Sequence, residues 1–171
     1  MALTYWEPYK MPKLLPTLHL LCGKIASGKS TLAKELAKTP GTVIISEDVW
    51  LAHLYPDNIK SVADYVKHSS SLRGAIGPHV TDLLRIGVSV VLDFPANTVG
   101  NRKWMRSIID RAESKHMLHF LDVSDDKCLT RLRARNASGT HAFVVADTEF
   151  DLITSYFVAP QQEEGFNIIR Y

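Results

Sequence analysis

Five short apolar or β-branched runs alternate along this chain with longer stretches whose apolar residues recur every three or four positions. The runs cover residues 18–22, 42–46, 89–92, 117–123 and 166–170. Each is short enough for a strand, and continuous apolar character without alternation suits a strand covered on both faces. Between them, 31–37 places Leu32 and Leu36, and Ala33 and Ala37, at i,i+4 spacing. Helical periodicity also marks 101–114, which carries Trp104, Met105, Ile108 and Ile109, and then 125–136 and 147–158, the last stopping before Pro160. Residues 58–86 are helical in pattern but interrupted by Gly74, Gly77 and Pro78, which predicts two helices. Strand and helix in strict alternation predict a parallel sheet, since each parallel crossover needs a helix to return the chain. The expected fold class is therefore α/β, in three layers, with about five parallel strands and helices on both faces.

The chain has 171 residues, 46% of them hydrophobic, enough for one core of ordinary density. A single domain over 17–171 follows, preceded by an extension over 1–16 that holds Glu7, Lys10, Lys13 and three prolines. That extension is too polar for a signal peptide. Its segment Tyr5-Trp6-Glu7-Pro8-Tyr9-Lys10 reads either as an extended arm across the domain or as a partly ordered terminus. No run reaches the ~18 apolar residues of a membrane span. With 20 Lys and Arg against 18 Asp and Glu, the net charge of +2 gives no general argument for a nucleic-acid partner. Cys22 and Cys128 lie far apart without metal-ligand spacing and read as buried thiols of a reducing compartment. The expectation is a soluble cytoplasmic protein without membrane contact, monomeric or a homodimer.

Chemistry enters at the end of the first run. Gly23-Lys24-Ile25-Ala26-Ser27-Gly28-Lys29-Ser30 matches GxxxxGK[ST], a phosphate-binding loop, in the required order of strand, loop and helix. Glycines let the backbone curl so that its N–H groups face phosphate oxygens, and the following helix adds its positive end. Residues 23–31 (Gly23, Lys24, Ile25, Ala26, Ser27, Gly28, Lys29, Ser30, Thr31) are thus the expected contacts to ATP. Lys29 would reach the β and γ phosphates, and Ser30 would hold Mg2+.

Other polar residues gather where ligands bind in such folds, beyond the carboxyl ends of the strands. The second run ends in Glu47 and Asp48, the third in Asp93. Asp48 is the first candidate for the general base that takes a proton from an attacking hydroxyl; Glu47 stays open, because a one-residue slip exchanges their faces. Asp48 could instead cap the following helix. Asp93 is expected at Mg2+ with Ser30, a turn aspartate being the alternative. Arg131 and Arg135 share a helix face directed toward a small-residue loop at 137–140, where cations can neutralise charge on a transferring phosphoryl group. Arg133 falls on another face and reads as solvated. His53, His68 and His79 are weak candidates for substrate contact, and Trp50 and Tyr55 for pocket walls.

These residues resemble small phosphate-loop kinases of the AAA_33 type, which are similar to zeta toxins and polynucleotide kinases. The resemblance covers about 18–136. It is carried by the phosphate loop, by Ile45-Ser46-Glu47-Asp48, by Val91-Leu92-Asp93 followed by Asn97 and Arg102, and by the segment Cys128-Leu129-Thr130-Arg131-Leu132-Arg133-Ala134-Arg135-Asn136. It implies Lys29 and Ser30 on ATP and Mg2+, Asp48 as base, Arg131 and Arg135 as arginines of a nucleotide lid, and Asn97 and Arg102 near the acceptor or placing the third-strand turn. Several polynucleotide-kinase-like members carry an acceptor-binding arginine three residues after the base. Here Trp50 or Leu51 stands there, which implies an uncharged or aromatic acceptor.

The favoured function is an ATP-dependent phosphotransferase acting on a hydroxyl of a small molecule. A nucleic-acid 5′-hydroxyl kinase is the enzymatic alternative, although Lys60, Lys67, Arg73 and Arg85 are too dispersed for a basic path. A nucleotide-dependent switch or ATPase module working through a partner is the alternative from another class.

Overall fold

The computed structural model describes residues 15–139 and 144–171. The expected arm over 5–10 lies outside the described residues. Among the described residues five strands, β1 (Thr17–Cys22), β2 (Thr42–Ser46), β3 (Ser89–Pro95), β4 (Lys115–Phe120) and β5 (Ile168–Arg170), form one sheet in the order β2-β3-β1-β4-β5. Every neighbouring pair is parallel. The α/β class and the five-stranded parallel sheet are as the hydrophobic pattern predicts.

Among the described residues six α-helices connect and cover the strands: α1 (Lys29–Leu36), α2 (Glu47–Leu54), α3 (Val62–Arg85), α4 (Val99–Ala112), α5 (Asp125–Ser138) and α6 (Asp147–Ser155). Alternating residues of the central strands serve opposite faces. Leu18, Leu20 and Cys22 of β1 join Val90, Leu92 and Phe94 of β3 in the main core, under Leu72, Ile76, Val80 and Leu84 of α3 and Met105 and Ile108 of α4. On the other face Leu21 and Val91 meet Ala33 of α1. A third cluster joins Cys128 and Leu132 of α5 to Phe150 of α6 and receives Ile25 and Ala26 from the phosphate loop. Both cysteines are buried free thiols.

The predicted break near Pro78 does not occur. Helix α3 runs unbroken for 24 residues with Pro78 inside it. A proline in a helix interior costs about 3 kcal/mol. The four residues Leu72, Ile76, Val80 and Leu84 are each 0–3% exposed and repay that cost severalfold, at roughly 1.5–3 kcal/mol per buried side chain. Gly77 one position earlier eases the packing of α4: a Cβ there would lie 3.3 Å from Trp104 Nε1, so the indole would have to give way slightly.

Of three smaller differences, the first two have tertiary causes. Strand β4 starts at Lys115, before the apolar run, because Thr17 and Leu18 of β1 pair with Lys115 and His116. Helix α6 ends at Ser155, since the chain turns inward: Phe157 stacks on Phe120 and the Val158 N–H donates to Asn97 O at 2.9 Å. Helix α5 extends through Ser138 into the expected loop, and Thr140 lies outside the described residues.

A polar chain crosses the sheet on the α1 side. His19 Nδ1 lies 3.0 Å from His119 Nε2, and His119 Nδ1 lies 2.8 Å from the Tyr171 hydroxyl. Burial, and secondarily the neighbouring His19, lowers the His119 pKa to about 4.

Candidate active site

The carboxyl end of β1 runs into the loop at 23–28, where the sequence dictates a tight curl. A Cβ on Gly23 would lie 2.6 Å from Ser27 Oγ and 2.9 Å from Leu121 O, so only glycine fits. Ala26 holds a left-handed φ of 60°, and Gly28, with φ 109°, starts α1 without any side-chain cap among the described residues. Helix starts leave backbone N–H groups that an anion can accept. Lys29 folds back over the loop, its Nζ donating to Gly23 O at 2.7 Å and Lys24 O at 2.8 Å. Burial lowers the Lys29 pKa, while the charges of Asp93 and Asp48 oppose that shift. An ammonium with little water around it attracts a polyanion more strongly than it would in bulk water.

The second and third strand ends meet beside this loop. Register pairing of Ser46 with Asp93 sets their side chains together, and Ser46 Oγ donates to Asp93 Oδ2 at 3.2 Å. Ser30 Oγ donates to Asp93 Oδ1 at 3.3 Å, so the carboxylate sits between two hydroxyls. Burial pushes the Asp93 carboxyl up from its ordinary pKa; the two hydroxyl donors pull it down and Asp48 adds to the rise.

Glu47 and Asp48 begin α2 and diverge, because successive residues on a helix are about 100° apart. Glu47 is turned inward, only 1% exposed, and bonded to the Tyr65 and Ser69 hydroxyls and to Arg73 Nε and Nη2. Asp48 is half-buried and lies within charge range of Lys29, Asp93 and Arg135. The residue before α2 that takes the cap position is Ser46.

Arg131 and Arg135 reach back from α5 to the phosphate loop and to Asp48 of α2. Arg131 Nη1 donates to Ser27 O at 3.2 Å. Arg135 is half-buried, its guanidinium pKa lowered by burial and supported by the Asp48 charge. Its buried Nε has no hydrogen-bond partner among the described residues. Arg133 instead pairs on the surface with Asp147 of α6 at 2.6 Å. Beside the loop lies an open groove of about 530 Å3, lined by Ala26, Gly28, Thr31, Leu32, Leu121 and Arg131.

Asn97 and Arg102 serve the strand turn. Asn97 Oδ1 accepts from the Gly23 N–H at 2.9 Å. Arg102, fully buried, donates to Ala96 O at 2.9 Å, to Val158 O at 2.8 Å and to both Glu164 oxygens at 2.6 and 2.8 Å. Lys24 pairs with Asp125 of α5. Leu51 is buried and Trp50 is 40% exposed. His68 packs on Tyr55 with centroids 4.1 Å apart, and His53 bonds within α2 to Val49 O.

Sequence reading passed over Tyr65 and Ser69, Asn101, which accepts from Arg73 Nη1 at 2.7 Å, and Glu164. A signal existed for part of this group. Tyr65, Ser69 and Arg73 recur at i, i+4 and i+8, a polar stripe beside the apolar stripe of α3.

Solved structures share this architecture. A protein from Chloroflexus aurantiacus whose kinase assignment is provisional superposes with a TM-score of 0.72 at 18% identity, covering 92% of this chain and 85% of its own. Kti12 from Chaetomium thermophilum, solved with ADP-AlF3, gives 0.67 at 15% identity over 90% and 89% of the two chains. The APS kinase of Mycobacterium tuberculosis, solved with AMPPNP and APS, gives 0.59 at 21% identity over 91% and 88%. At such identities the likeness establishes the fold. No curated protein matches the sequence. The family model AAA_33, described as an AAA domain, matches residues 18–160 and so takes in the loop, both strand-end carboxylates and the arginines of α5; the chain belongs to that family.

Proposed function

We propose that this protein is a kinase that moves the γ-phosphate of ATP to a hydroxyl of a small molecule. The observation that carries the reading is the convergence of Lys29, Asp48 and Arg135 beside a glycine-curled loop that starts a helix. Phosphoryl transfer asks mainly for positioning and charge neutralisation. In this reading the N–H groups of 23–31 and Lys29 hold the phosphates. Asp48 orients the acceptor hydroxyl and takes its proton. Arg131 and Arg135 neutralise charge that grows on the transferring group. The ADP-AlF3 held by Kti12 and the AMPPNP held by the APS kinase support nucleotide use.

Ser30 and Asp93 fit Mg2+, a hard cation that takes oxygen donors and shares them with nucleotide phosphates. When bound, Mg2+ would neutralise phosphate charge. An uncharged acceptor is favoured by Leu51, an apolar buried residue three positions after Asp48, and by Arg73, whose charge is matched by Glu47 at 3.1 Å.

The test is transfer from γ-labelled ATP with Mg2+ to a panel of sugars, nucleosides, aminoglycosides and oligonucleotides, comparing wild type with Asp48→Asn. The expected result is one labelled small alcohol, lost in the variant. Label on oligonucleotides alone would instead establish a 5′-hydroxyl kinase, and tight ATP binding without any labelled acceptor would favour a switch module.

A further inference from the structure

We infer that Tyr65 is a positioning residue for phosphoryl transfer, a two-way hydrogen-bond donor that holds the Asp48 carboxylate while its proton load changes. The inference rests on the reading of Asp48 as the base. The Tyr65 hydroxyl of α3 lies 2.8 Å from Glu47 Oε2 and 3.1 Å from Asp48 Oδ1. It has one hydrogen and two carboxylates within reach, so it can satisfy only one of them fully at a time.

The two carboxylates are not equivalent. Glu47 is enclosed and already receives Ser69 and two nitrogens of Arg73. Arg73 is itself held by Asn101, whose Nδ2 donates to Pro95 O at 2.8 Å, and it lies over the Trp104 ring at 5.5 Å. Glu47 is therefore held in place by its own donors, a fixed acceptor on one side of Tyr65. Asp48 faces the phosphate loop, with Lys29 and Asp93 on that side and Arg135 on α5. Its charge is the one that changes if it takes a proton.

During transfer a bond forms between the attacking oxygen and the γ-phosphorus, the bond to the β-phosphate oxygen breaks, and the proton of the attacking hydroxyl passes to Asp48. Before the step, Tyr65 donates to Asp48 Oδ1 and holds the orientation of the carboxylate toward the attacking group. Afterwards the neutral carboxyl needs no donor, and the Tyr65 hydrogen turns to Glu47. The tyrosine itself stays protonated throughout: burial first, then the two carboxylate charges, raise its pKa well above the ordinary value. Its role is orientation, without net proton transfer.

The experiment follows hydrolysis of MgATP, in which water is the attacking group and no alcohol need be known. Tyr65→Phe is expected to lower kcat about tenfold while KM for MgATP changes less than about twofold, because only the attacking side loses its geometry. Combined with Asp48→Asn, Tyr65→Phe should cost nothing further, since its effect passes through that carboxylate. Wild-type hydrolysis in Asp48→Asn would defeat the base reading and this inference with it. Loss in Asp48→Asn with an unaltered kcat in Tyr65→Phe, or with independent losses in the double variant, would overturn this inference alone. Should Tyr65→Phe not fold, 3-fluorotyrosine in place of Tyr65 keeps the ring and alters the donor; a changed kcat at unchanged KM supports the role, and an unchanged kcat overturns it.

Discussion

The Asn97 side chain, at the turn after β3, accepts the N–H of Gly23, the first residue of the phosphate loop, at 2.9 Å. The same residue accepts the Val158 N–H through its own carbonyl. One side chain thus fixes where the loop leaves β1, and its backbone ties that turn to the segment after α6. Asn97→Ala removes the side-chain acceptor and keeps the backbone one. Leaving a backbone N–H unpaired in the interior costs about 1–3 kcal/mol. Calorimetric titration should show ATP affinity reduced roughly 5- to 100-fold, with Asn97→Asp, which keeps an acceptor oxygen, close to wild type.

Arg102 and Glu164 form the second anchor of that turn. The guanidinium is fully buried, and two of its bonds end on Glu164, which is 19% exposed. Removing one partner of a buried pair leaves an uncompensated charge, at a cost of about 3–5 kcal/mol. Glu164→Ala should lower the urea midpoint by that much stability, and Glu164→Gln, which keeps one acceptor oxygen, by less. Because Val158 O and Ala96 O share the same guanidinium, ATP binding should weaken together with stability.

The three arginines of α5 should separate in a transfer assay. Arg131→Ala and Arg135→Ala remove cations beside Ser27 and Asp48, and the double variant should lose about 100-fold or more in kcat. Arg133→Ala breaks only its solvent-screened surface pair with Asp147 and should keep wild-type turnover. Equal losses in all three would show that α5 acts through its fold and not through charge.

Acid should destabilise the protein through His119. Its folded pKa, near 4, lies below the ordinary value of 6.5. Between those values the unfolded chain binds a proton that the folded chain does not, so stability falls as pH drops from 6.5 toward 4 and levels off below. His19, also lowered by burial, acts in the same direction. Thermal unfolding between pH 8 and pH 4 should show a midpoint that is flat above pH 7 and falls by a few degrees below 6.5. His119→Gln should reduce that slope.

Much of the site was legible in the residues. The GxxxxGK[ST] loop was readable because its function requires specific residue types at fixed spacing: Gly23 where a Cβ would strike Ser27 and Leu121 O, Lys29 where an ammonium must fold back. Glu47 and Asp48 could not be ranked that way. Both are acidic and adjacent, and only the packing of α2 on α3, which brings Tyr65, Ser69 and Arg73 around Glu47, separates the enclosed carboxylate from the one beside the loop. Asn97 and Arg102 were noticed as residues, yet their partners Gly23 and Glu164 lie 74 and 62 positions away.

The sequence by itself determined the alternation of strands and helices, the loop and its lysine, and the gathering of carboxylates at strand ends, because these depend on periodicity and local backbone chemistry. The tertiary structure alone decided the continuity of α3 through Pro78, the start of β4 at Lys115, and which of Glu47 and Asp48 is enclosed and which lies beside the loop. In each case a local preference of a few kcal/mol is outweighed by burial or hydrogen bonding to residues distant in the chain, and no window of sequence contains both sides of that balance.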